Sequence, residues 1–235
     1  DTAMNMLWYD YHGLFLDYYY DHNINMLNQT TNGDIIYCTD TDLVGYPTLI
    51  NDERLNGIAN WSQGPIADSA NMLVRVSSGL IVSDTLLFTG LLLDNNGNGL
   101  IPVLFATDTN GNTLFSRRLS SFVSSVGSTE IRIEQDQFGN LYLVFYGDAI
   151  NNIVTILAID THGNVLQNHS IVLPVNNYFF IQNSIVLGPN RFLFLVDSYS
   201  SVFQVFDSTG IAVDSFRAGC NIGTFRSGRN GEILA

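Results

Sequence analysis

The run Asp94-Asn-Asn96-Gly-Asn98-Gly99 sets a carboxylate and two amide oxygens at alternate positions ahead of a glycine. That is the order in which a calcium-binding loop opens. Asp94, Asn96 and Asn98 would be the metal ligands. The later acidic ligand is missing, with Pro102 and Phe105 where it would stand, and an Asn/Gly-rich hairpin turn accounts for the same residues. Ca2+ is the single cofactor that the sequence suggests.

Arginine offers a second chemistry. Arg75, Arg132 and Arg226 each fall on the opening segment of a repeated unit. Guanidinium groups brought together from such segments would hold an anionic ligand bidentately. Salt bridges to Asp or Glu of neighbouring units would use the same residues. A third possibility is a binding face made by Trp8 and Tyr11 with Tyr18, Tyr19 and Tyr20. Aromatic side chains of this density serve sugar or protein recognition, and equally serve packing between sheets.

Catalytic groups are harder to find. His12 and His162 sit inside Asp-x-His-Gly turns, and no Gly-x-Ser-x-Gly or His-x-x-x-His occurs. Most acidic residues belong to turns, so no pair of carboxylates can be assigned to acid–base work. Thr107-Asp-Thr-Asn-Gly111-Asn-Thr113-Leu is close to the Asp-box of sialidase-like propellers, with the Asp displaced by one and Leu in place of Trp.

The elements that must position these groups are short apolar runs separated by turn signals. Between Thr129 and Ser170 there are four such runs, divided by Asp136-Gln-Phe-Gly139-Asn, Asp148-Ala-Ile-Asn-Asn152 and Asp160-Thr-His-Gly163-Asn. Asp opens a turn of this kind by accepting backbone N–H groups, and Gly supplies the positive φ that closes it. The unit recurs. Its Asp stands at positions 10, 52, 108, 160 and 207, in steps of 42 to 56 residues. Strands are predicted at Asn23–Asn32, Asp34–Thr39, Thr48–Asp52 and Ile58–Ser62; at Met72–Val82, Leu86–Leu93, Leu100–Thr107 and Thr113–Leu119; and at Phe179–Leu187, Phe192–Val196, Val202–Phe206 and Ile211–Phe216. No convincing helix is present, and Tyr46 to Ala70 reads as loop and irregular strand around Pro47 and Pro65.

Four strands per repeat of this length point to the blades of a β-propeller. The lack of polar–apolar alternation in the strands supports that choice. Leu141-Tyr-Leu-Val-Phe-Tyr146 and Phe192-Leu-Phe-Leu-Val196 are apolar on both faces, although their connections are short enough to be hairpins. Antiparallel sheets buried on both faces are what blades stacked on other blades provide. The expected fold is an all-β propeller of four-stranded antiparallel blades, residues 1–235 forming one domain. It would have four full blades and a fifth split between Thr2–Tyr20 and the C-terminal strands, or be a stretch of a larger propeller.

Composition narrows the partners. The 235 residues carry a formal net charge of −13, with charged residues at 13% and hydrophobic residues at 46%. All nine cations are Arg. Nucleic acid and anionic membrane surfaces need a basic patch and are not expected partners. No apolar run is long enough for direct membrane insertion. Cys38 and Cys220 allow one disulfide or two buried thiols. The chain opens at Asp1, so a processed form or a piece of a longer chain is expected.

Ile133-Glu-Gln-Asp136-Gln-Phe-Gly139-Asn-Leu-Tyr142-Leu-Val-Phe-Tyr-Gly147 and Ile156-Leu-Ala-Ile-Asp160-Thr-His-Gly163-Asn-Val-Leu166 resemble a bacterial β-propeller repeat found in secreted and surface proteins, over about residues 101–172. The Gly-Gly and Trp positions often seen in that family are absent. The resemblance implies the propeller fold and an extracellular or cell-surface setting. The expectation is a non-catalytic binding or scaffold module for a protein or glycan partner within a larger assembly. The alternative is a polysaccharide-active hydrolase or lyase with a site in the central channel.

Overall fold

The computed structural model describes residues 22–29, 33–41, 49–53, 59–63, 71–94, 100–122, 130–148, 153–173, 184–188, 190–197, 202–219, 226–227 and 233–234. The described residues form strands and turns, with no helix among them. The chain is all-β, built from four-stranded antiparallel sheets of the kind that make β-propeller blades. It divides into two compact units, Asp1–Arg118 and Leu119–Ala235.

The N-terminal unit holds two sheets. In the first, β1 (His22–Gln29), β2 (Ile35–Thr41), β3 (Leu49–Glu53) and β4 (Ala59–Gln63) lie in chain order. In the second, so do β5 (Asn71–Val82), β6 (Thr85–Asp94), β7 (Leu100–Asp108) and β8 (Thr113–Arg118). The second sheet buries Val76, Leu86, Phe88, Leu92, Val103 and Phe105 in one cluster with Ile36 of β2. The rings of Phe88 and Phe105 stack there at 5.1 Å. Leu87, Leu91, Leu104 and Ala106, which alternate with those residues, are also buried, so this sheet has no wet face over its middle strands.

The third sheet comprises β9 (Glu130–Gln135), β10 (Leu141–Asp148), β11 (Ile153–Ile159) and β12 (Val165–Val172). The fourth comprises β13 (Ser184–Gly188), β14 (Arg191–Asp197), β15 (Val202–Asp207) and β16 (Ala212–Arg217). A last pair, β17 (Arg226–Ser227) and β18 (Ile233–Leu234), completes the C-terminal unit. Within that unit β13 has β9 on one side and β17 on the other, so the opening strands of successive sheets are neighbours.

One shared cluster joins the third and fourth sheets. Tyr142, Val144, Val154, Ile156 and Ile171 from the third meet Val186, Phe192, Phe194 and Phe206 from the fourth. The residues between them in sequence, Leu143, Phe145 and Leu157, are buried on the opposite face. Both-face burial of Leu141–Tyr146 and Phe192–Val196 is thus observed over the residues whose burial is described.

Most predicted strands are found within one or two residues of their expected ends. Two differ more. The strand expected from Phe179 is described only from Ser184, the residues before it lying outside the described set. The strand expected to run to Asn32 is described only to Gln29. The stretch Tyr46 to Ala70, read as loop and irregular strand, contains β3 and β4 within one residue of the strands predicted there, and their pairing slips between Asp52 and Glu53. Asp52 lies inside β3 opposite Trp61, so it is not a turn Asp like the later ones.

Candidate functional site

The Asp turns come first, because they decide which carboxylates are available for chemistry. At Asp108, Asp136, Asp160 and Asp207 the same device is built four times. The Asp backbone N–H donates to the carbonyl four residues on, and the Gly N–H three residues on donates back to the Asp carbonyl, all at 2.9–3.1 Å. The Asp Oδ1 then accepts the N–H groups of the second and fourth residues beyond it, as from His162 and Asn164 in the Asp160 turn at 2.9 and 2.8 Å. Oδ2 accepts the amide of Asn112, Asn140 or Asn164 in three of the turns. In the fourth, Thr209 replaces that Asn: its hydroxyl donates to Asp207 Oδ1 at 2.6 Å. The Gly residues have φ between 74° and 86°, a region that Gly enters without cost.

The turn carboxylates are therefore consumed by their own loops. The side-chain amide of Asn164, then its backbone N–H, holds Asp160 below the ordinary carboxylate range. Asn112 does the same for Asp108, and Thr209 followed by the Ile211 N–H for Asp207. Asp136 is buried, and there Tyr142 adds a phenol O–H to Oδ2 at 3.4 Å. Burial and the Asp136 charge push that phenol up to about 12.

One carboxylate is placed differently. Glu134 on β9 alternates with the buried Ile131 and Ile133, so it shares a sheet face with Arg132 and stands opposite Tyr142 of β10. This is the face that packs on the fourth sheet. Glu134 crosses to it: Oε1 accepts the Ser184 hydroxyl at 2.6 Å and Oε2 accepts the Val186 N–H at 3.0 Å. Burial raises its pKa from the ordinary 4.5 to about 7, against the opposing pull of Ser184, the Val186 N–H and the Arg132 charge. Ser184, Phe194 and Gln204 form one row across β13, β14 and β15. Gln204 Oε1 is buried without a hydrogen-bond partner among the described residues.

Three further contacts fasten the same pair of sheets. At the β9–β10 turn, Gln137 Nε2 donates to the Leu187 carbonyl at 3.4 Å. The ring of Phe138 lies over Gly188, where an added Cβ would come within 3.3 Å of it. On the outer side, Gly210 of the β15–β16 turn lies against the backbone of Ser170 and Ile171 on β12.

Of the residues singled out from the sequence, Arg75, Arg132 and Arg226 fall on β5, β9 and β17, each the opening strand of its sheet. Arg132 acts on Glu134, two residues along its own strand, through its charge. The side chains of Arg75 and Arg226 lie outside the described residues, as do Asn96, Asn98, Trp8, Tyr11 and the side chain of Asp94. Among the described residues no group of three or more His, Cys, Asp or Glu could hold a metal ion. No helix among them is long and apolar enough to cross a membrane. Glu134 was missed from sequence. Its neighbour Arg132 drew attention, and the partner that gives Glu134 its character is fifty residues away.

The fourth strands form the other notable surface. β16 is exposed along its whole length, and β8 and β12 along most of theirs. Large apolar side chains stand in solvent on or beside them: Leu114, Leu166, Val172, Ile211, Val213 and Phe216. Phe216 keeps one side of its ring stacked on Phe203 at 5.0 Å.

No family model matches the chain, and no curated protein matches it. Solved structures do. A protein of unknown function from Bacteroides caccae superposes with a TM-score of 0.52 at 14% identity, over 86% of this chain; the chain spans 63% of the length of that protein. A 6-phosphogluconolactonase candidate from Bacteroides fragilis gives 0.48 at 10% identity, over 89% of this chain and 75% of that one. BamB from Moraxella catarrhalis gives 0.32 at 13% identity, over 86% and 79%. At these identities the likeness is one of fold.

Proposed function

We propose that this propeller chain is a non-catalytic binding or scaffold module that engages a partner outside the cell, as part of a larger assembly. The observation that carries the reading is the exposure of large apolar side chains along a fourth strand, above all Ile211, Val213 and Phe216 on or beside β16. Apolar groups at this density on an edge favour a protein partner over a glycan. An unpaired strand edge adds backbone donors and acceptors to the same surface. The carboxylates support the reading from the other side: those of the Asp turns are saturated by their own loops, which leaves them no proton to move for a substrate.

The test is photo-crosslinking on the producing cell with a photoreactive residue in place of Val213, run beside an assay for reducing ends released from polysaccharides. A discrete crosslinked protein and no released sugar are expected. Release of sugar that Glu134→Gln abolishes would overturn the reading and install the hydrolase or lyase in its place.

A further inference from the structure

We propose that the seam between the third and fourth sheets is a proton-controlled joint: Glu134 holds β9 to β13 more firmly when it carries a proton than when it is charged. The geometry gives the carboxyl group two anchors with different abilities. The Val186 N–H can only donate, so Oε2 accepts from it in either state. The Ser184 hydroxyl can donate or accept. It gives its proton to a charged Glu134 and, at the same 2.6 Å, receives one from a neutral Glu134. No hydrogen bond has to break when the group titrates. What changes is whether a charge is kept on a half-buried group in a seam otherwise built from Tyr142, Val144, Val186 and Phe194.

Among the described residues, the groups facing Glu134 oppose the effect of burial without overcoming it. On its own strand Arg132 favours the ionised form, and its pull is the weakest of the causes acting on the carboxyl. Asp136, beyond the strand end, is occupied by its own turn and by Tyr142, the phenol opposite Glu134 on β10. Across the seam, the fourth sheet presents Ser184, Val186, Phe192, Phe194, Gln204 and Phe206 on this face, none of which titrates. His169 shares the face on β12, where it meets Gln167 and the ring of Phe192. Burial wins over these influences, and the midpoint near 7 puts the change where ordinary surroundings differ in acidity.

The experiment is amide hydrogen exchange on the whole chain between pH 5.5 and 8.5, corrected for the intrinsic rate. Protection of the Val186 N–H should fall by about ten-fold or more as pH rises through 7, which is the change that one pKa unit corresponds to. The Leu157 amide, inside the third sheet, should hold its protection. Constant protection at Val186, or a loss shared equally by Leu157, would overturn the joint. Glu134→Gln fixes the group neutral and should make Val186 protection independent of pH. Should that variant not fold, the Glu134 carboxyl carbon can be titrated in the unaltered chain by NMR. A midpoint near 7 supports the joint, and one near 4.5 overturns it.

Discussion

Glu134 and Ser184 stand fifty residues apart in the chain and 2.6 Å apart in the fold, each on the opening strand of its sheet. Their hydrogen bond lowers the proton affinity of a carboxyl group that burial raises. Ser184→Ala should therefore move the Glu134 midpoint above about 7, visible in an NMR titration of the carboxyl carbon. The lost bond should cost about 1–2 kcal/mol in denaturant unfolding, since a buried oxygen is left with one partner fewer.

Glu134 also sets a pH dependence of stability. Its folded value of about 7 lies above the ordinary 4.5, so between those values the native chain holds a proton that the unfolded chain has released. The contribution is present in full below the lower value and is lost as pH rises through the upper one, amounting to roughly 3 kcal/mol at most before solvent screening. Subtracting the unfolding free energy of Glu134→Gln at each pH should isolate a slope confined to that window. A flat difference would show that Glu134 titrates as an ordinary carboxyl.

The turn carboxylates act in the opposite sense. Hydrogen bonds hold Asp108, Asp160 and Asp207 below the usual range. Their stabilisation is present above the unfolded value of 3.8 and disappears as pH falls through the lower native values. A triple Asp→Asn variant at these positions should show a shallower acid-unfolding limb than the unaltered chain, followed by circular dichroism below pH 4.

Gly139 separates backbone strain from crowding. A Cβ there would meet nothing nearer than the Gln135 amide nitrogen at 3.8 Å, while φ is +86°. Gly139→Ala should cost about 1–2 kcal/mol from the left-handed conformation alone. Gly139→Asn should cost less, because Asn tolerates that region. Equal losses for the two variants would mean that something other than φ governs the turn.

Phe192 is 1% exposed and lies edge-on to Tyr142 at 6.0 Å, across the seam. Phe192→Ala should destabilise by about 3–5 kcal/mol, the usual loss for a large ring in a packed core. Ile211→Ser with Val213→Ser, at 62% and 50% exposed, should stay within about 0.5 kcal/mol of the unaltered chain while weakening partner capture.

These contrasts show what the amino-acid order discloses. The Asp160-Thr-His-Gly163-Asn turn is complete within five residues, so its geometry could be read directly, down to the positive φ of its Gly. The doubly apolar β10 and β14 likewise declared sheets buried on both sides. Glu134 gave no such signal: nothing near it in sequence says that Ser184 and Val186 will arrive beside it. At Asp52 the repeat spacing misled, because a residue counted with the turn Asp residues is paired inside β3. Arg132, picked out for an anionic ligand, stands two residues from Glu134 on β9 and acts on it through its charge.

The self-contained Asp turn also fixes an order of events during synthesis. Once Asn164 has left the ribosome, the Asp160 carboxylate has the partners that shape the reversal joining β11 to β12. The hairpin can form at once, on the microsecond scale typical of such elements. Glu134 must wait for Ser184, and at roughly 5–20 residues per second that interval lasts seconds. For those seconds the growing chain is a row of finished hairpins with unfinished joints, and the apolar face of the third sheet stands open until its neighbour is made.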